Sequence, residues 1–249
     1  MQKLGFPSPF QQSPVYFIAQ TTSTMDAAEA LALSGAAPGT VIAAGYQSHG
    51  KGRFPERVWT AAAGENCMFT ILLENCYFPA KPTLIPLASG LAVALAIEKI
   101  AGLSPEIRWP NDVLIHNKKA AGILSRMKGS RLFIGIGINL NQAEFDHELA
   151  DSATSVFLET GNIFSRDDFL NIVLEKLFFT LHIDNLLPEI EKRLWHLKEN
   201  CLYTNGDGGS PFEATIQGLG ENGELCIIPR GKTYTQKLVS GSIRETTDL

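Results

Sequence analysis

The segment at residues 108–124, Arg-Trp-Pro-Asn-Asp-Val-Leu-Ile-His-Asn-Lys-Lys-Ala-Ala-Gly-Ile-Leu, constrains the fold more than any other part of this chain. Its two apolar runs predict short strands, and the His-Asn-Lys sequence between them is typical of a tight hairpin turn. A hairpin this short returns Asp112 to the neighbourhood of Lys119. Because a carboxylate beside an ammonium favours both charged forms, the segment predicts a fixed positive charge aimed at an anionic group.

An ordinary surface ion pair is the alternative interpretation of Asp112 and Lys119, and such a pair contributes about 0–1 kcal/mol. The flanking residues favour a functional site. Trp-Pro-Asn on one side and Ala-Ala-Gly on the other are not typical of a solvated surface turn. We therefore expect Lys119 to face a cavity.

The overall composition is that of a globular protein. Its 249 residues allow one large domain and a small one, with 45% hydrophobic and 19% charged residues. The formal net charge of −5 argues against a general nucleic-acid binder, which needs a basic surface to displace counterions from phosphates.

Cysteine usage and the N-terminal sequence predict a cytoplasmic protein. The cysteines form no Cys-x-x-Cys pair and no histidine spacing completes a zinc site, so we expect reduced thiols. The N-terminus has no apolar signal core. The long apolar pattern at 84–100 includes proline, serine and glutamate, which predicts a buried core helix and not a membrane span. The cysteines are Cys67, Cys76, Cys201 and Cys226.

Hydrophobic periodicity predicts an α/β (α+β) fold with a mixed β-sheet and packed helices. The predicted strands before residue 200 are 15–18, 40–44, 66–73, 132–139 and the two strands of the hairpin. The predicted helices are 25–33, 82–100, 166–181 and 189–197. The predicted strands after Cys201 are 213–217, 225–228 and 233–238, and they indicate a separate small β-barrel or sandwich.

The loop Gln-Ser-His-Gly-Lys-Gly-Arg at 47–53 is rich in glycine and positive charge. Its glycines allow backbone N–H groups to approach an anion, and Lys51 and Arg53 add two cations. The loop is not a P-loop, because the Gly-Lys-Ser/Thr ending is absent, and it lacks the third glycine of a dinucleotide fingerprint. An exposed basic loop without a ligand is the alternative that the sequence leaves open.

Two further elements have both a functional and a structural interpretation. Ser23 and Thr24, before the first predicted helix, are either ligand contacts or an N-cap pair. Gly135 and Gly137 allow close approach of a ligand or of another backbone, and Asn139 either hydrogen-bonds a ligand or caps the strand end.

Taken in order, these motifs resemble those of one family. Ser-Thr before a helix, Gln-x-x-Gly-Lys-Gly-Arg followed by Trp, Trp-Pro-Asn-Asp, Lys-x-Ala-Gly-Ile-Leu and Gly-Ile-Gly-Ile-Asn are similar to the motifs of biotin protein ligases (biotin–acetyl-CoA-carboxylase ligases). The resemblance covers about 15–243. The loop departs from the family pattern, because Lys51 stands where Arg is more usual, and Phe54 and Pro55 lengthen the path to Trp59 by one residue.

The resemblance implies a class II synthetase-like catalytic domain over 1–200 and a small SH3-like β-barrel over 201–249. It also implies the family's reaction. Biotin and MgATP give biotinyl-5′-AMP and pyrophosphate, and the biotinyl group then passes to one lysine of a biotin carboxyl carrier protein.

The resemblance further implies the residues of the site. The catalytic residues are Lys119, Arg53 and Asp112. The biotin-binding residues are Ser23, Thr24, Gln47, Gly50, Lys51, Gly52, Arg53, Lys119 and Gly122. The nucleotide-binding residues are Lys51, Arg53, Trp59, Asn111, Lys119 and Asn139. No metal ligand is fixed: Mg²⁺ enters with ATP, and Asp112 is the one candidate ligand for it.

The chemistry of these residue types agrees with adenylation. Attack of a carboxylate on an α-phosphate gathers negative charge, which fixed cations stabilise. Lys119 supplies a compact charge, and Arg53 supplies a fork that fits carboxylate or phosphate oxygens. Asp112 orients Lys119, helps to hold Mg²⁺ or assists the transfer step, and the sequence leaves these three alternatives open.

Two other functions remain as alternatives. A lipoate or octanoate ligase has a related fold, but the double-arginine run, glycine triplet and histidine usual in those enzymes are absent. A non-catalytic biotin or adenylate sensor is disfavoured because Lys119, Arg53 and Asp112 occur together. About 14 residues precede the first predicted strand, too few for the N-terminal DNA-binding domain of some family members. We therefore expect no nucleic-acid partner and no membrane partner, and a homodimer is left open.

Overall fold

The structure is a computed structural model that describes residues 1–54, 56–74, 81–206 and 209–246. Pro55 of the loop and Cys76 lie outside the described residues, so the expectations about them stay predictions. The thiols of Cys67, Cys201 and Cys226 are free, and burial raises the pKa of Cys67 to about 12 and that of Cys201 to about 11.

The described chain consists of strands and helices in mixed order. The strands are β1 (Gln2–Pro7), β2 (Pro14–Thr21), β3 (Val41–Gln47), β4 (Gly50–Lys51), β5 (Val58–Trp59), β6 (Cys67–Glu74), β7 (Glu106–Arg108), β8 (Asp112–Ile115), β9 (Lys118–Lys128), β10 (Arg131–Ile138), β11 (Asn200–Thr204), β12 (Phe212–Leu219), β13 (Leu225–Pro229), β14 (Gln236–Leu238) and β15 (Ser242–Arg244). The helices are α1 (Thr24–Leu33), α2 (Ile85–Ala101), α3 (Val156–Thr160), α4 (Arg166–His182) and α5 (Leu186–Glu191).

A large mixed sheet organises the first part of the chain, as predicted. Its eight strands lie in the order β1-β2-β3-β6-β10-β9-β8-β7. The pair β2–β3 is parallel and the other neighbours are antiparallel. The parallel pair follows from sequence, because α1 lies between β2 and β3 and carries the chain back across the sheet.

Helices cover both faces of this sheet. Phe133 of β10 packs with Met25 of α1, whereas Ile134 and Ile136 belong to the larger core on the face covered by α2. Side chains alternate along a strand, so Gly135 and Gly137 lie on the α1 face with Phe133. The α1 face therefore carries a stretch of β10 without side chains.

The central helix α2 is a core element. Eleven of its 17 residues are buried, and it packs between the sheet and α4. The segment Pro82–Ala101 is long and apolar enough to cross a membrane, but most of it is buried inside the protein. A helix that is apolar all round is expected when both of its sides are covered, so the predicted core helix is confirmed.

The hairpin of β8 and β9 forms as predicted, with a shorter turn. His116 and Asn117 have φ of 48° and 65°, the left-handed conformations of a two-residue hairpin turn, and Lys118 already belongs to β9. Leu114 pairs with Lys119, and the register shifts between Val113 and Leu114.

The C-terminal strands form a second, antiparallel sheet in the order β14-β13-β12-β11-β15. The predicted strands at 213–217 and 225–228 are present. Ile216 and Leu225 of this sheet lie in one continuous apolar core with Leu87 and Trp109 of the first part of the chain. A barrel of SH3-like topology and an autonomous domain beginning at residue 201 stay predictions.

Some element boundaries differ from those predicted. The helix expected over 189–197 is wrong beyond Glu191, because the chain leaves α5 to pair with β7: Trp195 N–H donates to Ile107 O at 3.0 Å. The strand expected over 233–238 is limited to Gln236–Leu238. The short strands β1, β7, β11 and β15 were not predicted, and each is defined by its pairing with a neighbour.

Candidate functional site

A cavity of about 620 Å³ opens on the α1 face of the large sheet. This volume is within the usual range for sites that bind small organic molecules. Its floor is formed by β8, β9 and β10, its cover by the short hairpin of β4 and β5, and one side by β15. The cavity therefore brings together segments that are far apart in sequence.

A hydroxyl and amide cluster forms one end of the cavity. Gln47 Oε1 accepts hydrogen bonds from Thr24 N–H at 2.7 Å and from the Thr24 hydroxyl at 3.1 Å, and Thr70 Oγ1 donates to Thr24 Oγ1 at 2.9 Å. Ser23 is the N-cap of α1 and accepts from Met25 N–H at 3.2 Å. The predicted N-cap role of Ser23 is therefore real, and its hydroxyl also lines the cavity.

Next to this polar end, the floor of the cavity consists of two glycines, which have no side chains. Gly137 of β10 pairs directly with Gly122 of β9, and a Cβ on Gly137 would lie 2.6 Å from the Trp59 ring. A Cβ on Gly122 would lie 3.0 Å from the same ring and 3.3 Å from Lys119 Nζ. Both glycines are needed so that a flat group can lie directly on the sheet. The indole Nε1 of Trp59 is buried here without a hydrogen-bond partner among the described residues.

Charged groups form the other end of the cavity. Lys119 Nζ lies 2.6 Å from Asp112 Oδ1, and Arg108 Nη2 lies 2.9 Å from Asp112 Oδ2. Each carboxylate oxygen therefore has its own cation. The predicted proximity of Asp112 and Lys119 is confirmed, whereas the part of Arg108 was not predicted.

The two cations control the charge of Asp112. Burial alone would raise the pKa of this carboxyl, but Lys119 and Arg108 outweigh burial and hold the pKa below its usual range. Asp112 is thus an anion at neutral pH. With both oxygens engaged, and with no cluster of His, Cys, Asp or Glu suited to a metal in the described residues, the site does not fit a resident Mg²⁺.

The basic loop forms a short hairpin, and the anion binding expected of it stays a prediction. Gly50 pairs with Trp59, and Gly52 N–H donates to Arg57 O at 2.9 Å. A Cβ on Gly50 would lie 2.4 Å from Trp59 O, and one on Gly52 would lie 2.6 Å from Arg57 O. The glycines therefore serve close pairing of two strands, a role that the sequence analysis did not assign to them.

Arg53 connects the hairpin to the C-terminal sheet. Its Nη2 donates to Gly241 O at 2.6 Å, and its guanidinium lies 4.6 Å from the centre of the Phe54 ring. Burial lowers the pKa of Arg53, and the Asp112 carboxylate acts in the opposite direction. An arginine remains protonated at neutral pH under such influences, so Arg53 brings a positive charge to the charged end of the cavity.

Most of the predicted site residues line the cavity. These are Ser23, Thr24, Gln47, Lys51, Gly52, Arg53, Trp59, Asn111, Asp112, Lys119 and Gly122. The ammonium of Lys51 does not point to a free surface, because it pairs with Asp26 of α1.

Gly50 and Asn139 do not line the cavity. Asn139 is buried, and its Nδ2 donates to Thr154 O at 2.9 Å and to Lys119 O at 3.3 Å. Its side chain supports the backbone that carries Lys119, and the nucleotide contact that the resemblance implies for Asn139 stays a prediction.

Some residues that line the cavity were not predicted from the sequence. Thr70, Arg108 and Trp109 line it, and so does Arg244 of β15. Arg108 and Trp109 belong to a motif that was noted, but nothing in the local sequence shows that they border the site. Thr70 and Arg244 are brought in only by strand pairing and by the position of the second sheet.

Comparison with known proteins agrees with this arrangement. Residues 17–142 match the model of the Biotin/lipoate A/B protein ligase family. The "Bifunctional ligase/repressor BirA" of Bacillus subtilis (strain 168) is 36% identical over 238 residues, covering 89% of this chain and 71% of that protein. The "Biotin--[acetyl-CoA-carboxylase] ligase" of Mycobacterium tuberculosis is 34% identical over 160 residues, covering 62% of this chain and 58% of that protein.

Solved structures show the same similarity over nearly the whole chain. The biotin protein ligase from Aquifex aeolicus in complex with biotin and ATP superposes with a TM-score of 0.82 at 28% identity, covering 93% of this chain and 99% of that one. The matches in sequence and in structure together place this chain in the biotin protein ligase family.

Proposed function

We propose that this protein is a biotin–[biotin carboxyl carrier protein] ligase. It joins biotin and ATP to form biotinyl-5′-AMP and pyrophosphate, and it then transfers the biotinyl group to a lysine of a carrier protein. The observation that carries the proposal is the ion pair of Lys119 and Asp112 at the end of a glycine floor, in a chain whose relatives are biotin ligases.

The order of groups along the cavity supports biotin as the acid. Biotin has a polar ureido ring, a flexible apolar chain and a terminal carboxylate. The cavity offers Thr24 and Gln47 at one end and Lys119 at the other. Between them the apolar Trp59 ring lies over the pair Gly122–Gly137. Adjacent strands lie about 4.8 Å apart, so a ligand that crosses them meets these groups in this order.

Lys119 and Arg53 are the residues that stabilise the adenylation step. A biotin carboxylate oxygen attacks the α-phosphorus, the bond between this phosphorus and the β-bridging oxygen breaks, and pyrophosphate leaves. Negative charge gathers between two anionic groups, and cations already held in place stabilise it without reorganisation. Lys119 is held by Asp112, and Arg53 is held by Gly241 O.

Asp112 acts as an orienting group in this proposal. Of the three alternatives left open by the sequence, orientation of Lys119 is favoured because both carboxylate oxygens already bind cations. Magnesium enters with ATP as part of the substrate, bound mainly through the phosphates.

The transfer step needs no covalent enzyme intermediate. The neutral ε-amine of the carrier lysine attacks the acyl carbon of biotinyl-5′-AMP, AMP leaves, and the amine loses its proton. The cover of the cavity, formed by the hairpin of β4 and β5, lies where it can exclude water from the acyl phosphate until the carrier binds.

The test of the first step is exchange of labelled pyrophosphate into ATP. The purified protein should catalyse exchange that depends on biotin. Exchange that responds to lipoate or octanoate but not to biotin would overturn the substrate, and biotin binding without any exchange would indicate a sensor. Transfer is tested by streptavidin blotting of a biotin-carrier domain incubated with the protein, biotin and MgATP.

Two further properties belong to the same proposal. The protein is cytoplasmic, and it has no sequence-specific DNA target, because its net charge is −5. A salt-sensitive, sub-micromolar complex with a promoter fragment would contradict the second property. Its oligomeric state, monomer or homodimer, is decided by sedimentation with and without biotin and MgATP.

A further inference from the structure

The hairpin of β4 and β5 covers the cavity and is held at both of its sides. In the part of the chain that the structure describes, two polar side-chain contacts tie it to other elements. Lys51 forms an ion pair with Asp26 in the first turn of α1, and Arg53 donates to Gly241 O in the connection between β14 and β15. The hairpin therefore lies across the cavity and contacts α1 at one side and the C-terminal part of the chain at the other.

We infer that Asp26 is a positioning residue of the proposed ligase, which holds the hairpin over the bound acid through Lys51. The inference rests on the proposed function and deepens it. Asp26 itself does not line the cavity, so it acts through Lys51 and not by touching the ligand.

The position of Asp26 on α1 is the reason that we expect its pair with Lys51 to affect binding of the acid. The same first turn of α1 carries Ser23 and Thr24, which form the polar end of the cavity. Backbone bonds from Ser48 and His49 to Thr21 O and Thr22 O anchor the start of the hairpin near that polar end. The pair with Lys51 adds a side-chain tie further along, so a ligand enclosed below the cover is contacted more closely while the pair holds.

The chain contains a matched control on the same helix. Glu29 of α1 pairs with Arg126 at 3.3 Å and with Lys128 of β9. None of these three residues lines the cavity. Loss of Glu29 therefore removes an α1 ion pair of similar kind without loosening the cover.

Limited trypsin digestion of the ligand-free protein tests the tether without reference to activity. Lys51, Arg53 and Arg57 are cleavage sites within the hairpin. Asp26→Asn should be cut there about two- to fivefold faster than wild type, the size expected for loss of a partly exposed ion pair, and Glu29→Gln should be cut at the wild-type rate. Equal cutting of Asp26→Asn and wild type would overturn the inference.

Exchanging the two charges distinguishes the effect of the Asp26–Lys51 ion pair from the effect of Asp26 on the helix dipole. Asp26 in the first turn also interacts favourably with the N-terminus of α1, and a lysine there is unfavourable. The double variant Asp26→Lys with Lys51→Asp rebuilds the pair but worsens the dipole interaction, and its cutting is compared only after Arg53 and Arg57, which all variants retain. Restored protection of the hairpin supports the tether, and cutting as fast as in Asp26→Asn would overturn it.

Pyrophosphate exchange then tests the positioning role. Asp26→Asn should raise the KM for biotin about two- to fivefold with little change in kcat, Asp26→Glu should recover the wild-type KM, and Glu29→Gln should not change it. Faster cutting with an unchanged KM would overturn the positioning role. Absence of biotin-dependent exchange in wild type would overturn the proposed function, whereas the digestion would still decide the tether.

Discussion

At the scale of single residues, Lys119 is the group on which the proposed chemistry depends most. Lys119→Ala should lower the rate of biotin-dependent pyrophosphate exchange about 100- to 1000-fold, the loss typical of removing one preorganised charge-stabilising group. The fold should survive, because the Lys119 side chain lines a cavity and is a third exposed.

The neighbouring Lys118 provides the control for this prediction. Its ammonium donates to Ala150 O at 3.3 Å and does not line the cavity. Lys118→Ala should keep the wild-type exchange rate. An unchanged rate in correctly folded Lys119→Ala, checked by circular dichroism, would remove Lys119 from the mechanism.

Asp112 makes the stability of the protein depend on pH. Because Lys119 and Arg108 hold its pKa below the usual value, the carboxylate stabilises the native state above the unfolded pKa of about 3.9, and this contribution is lost as pH falls through the folded pKa. Asp112→Asn should cost about 1–3 kcal/mol at pH 7, since the two cations keep partial access to water.

Urea unfolding at pH 7 and at pH 3 measures this effect. The difference in unfolding free energy between wild type and Asp112→Asn should shrink at the lower pH. Asp151→Asn, at an exposed position, serves as the control substitution. A difference that stays constant or grows on acidification would contradict the assigned interactions.

At the scale of elements, β10 and the hairpin of β4 and β5 pack closely because the Trp59 ring lies against Gly137. Gly137→Ala would place a Cβ 2.6 Å from the Trp59 ring and should displace it, at a cost of about 1–3 kcal/mol. Tryptophan emission should shift to longer wavelength, because the displaced Trp59 ring becomes more exposed to water. Trp109 and Trp195 keep their hydrogen bonds to Gly223 O and Asn117, so the shift reports on Trp59.

Gly135→Ala is the matched substitution two residues away on the same face of β10. Its Cβ would meet the flexible end of Met25 at 2.9 Å and not the indole. The emission of this variant should stay close to that of wild type. An unshifted emission in Gly137→Ala would show that Trp59 does not rest on the floor in solution.

The cover over the cavity should retain the reactive intermediate. Arg53→Gly removes the hydrogen bond to Gly241 O, so we expect biotinyl-5′-AMP to escape more readily and to label lysines of bystander proteins. The variant is mixed with an unrelated lysine-rich protein, biotin and MgATP, and labelling is compared with wild type. Equal labelling, with adenylate still formed, would show that this contact does not retain the intermediate.

Sequence patterns predicted those elements whose local signals agree with their environment. Strong periodicity located α1, α2 and α4, and the tight turn located the pair of Asp112 and Lys119. Thr70 and Arg244 were missed because only strand pairing and the position of the second sheet bring them to the cavity. Arg108 lies four residues from Asp112, but the motif alone does not reveal that its guanidinium contacts that carboxylate.

Short edge strands were missed for a similar reason. β7 and β15 have three residues each, too few for periodicity to show, and they exist because a neighbouring strand offers backbone partners. The end of α5 is likewise set by pairing with Ile107 and not by a helix-stop signal. Periodicity can be recognised in a short stretch of sequence, whereas backbone pairing between distant segments cannot.

At the scale of the whole molecule, the two sheets share one core and one site. Ile216 of β12 and Leu87 of α2 belong to the same apolar cluster, and Trp109 Nε1 donates to Gly223 O at 3.0 Å. Arg244 of the second sheet lines the cavity beside residues of the first. The C-terminal strands are therefore part of the candidate site, whatever their ability to fold alone.

This shared core predicts a single cooperative thermal transition for the whole chain. Trp109→Phe removes the hydrogen bond to Gly223 O but keeps an aromatic ring in the core, and this loss costs about 1 kcal/mol. For a chain of this size the midpoint should fall by about 2–4 °C, still in one transition. Scanning calorimetry that resolves two transitions in wild type would show that the two sheets unfold independently, and the coupling inferred from their shared core would be wrong.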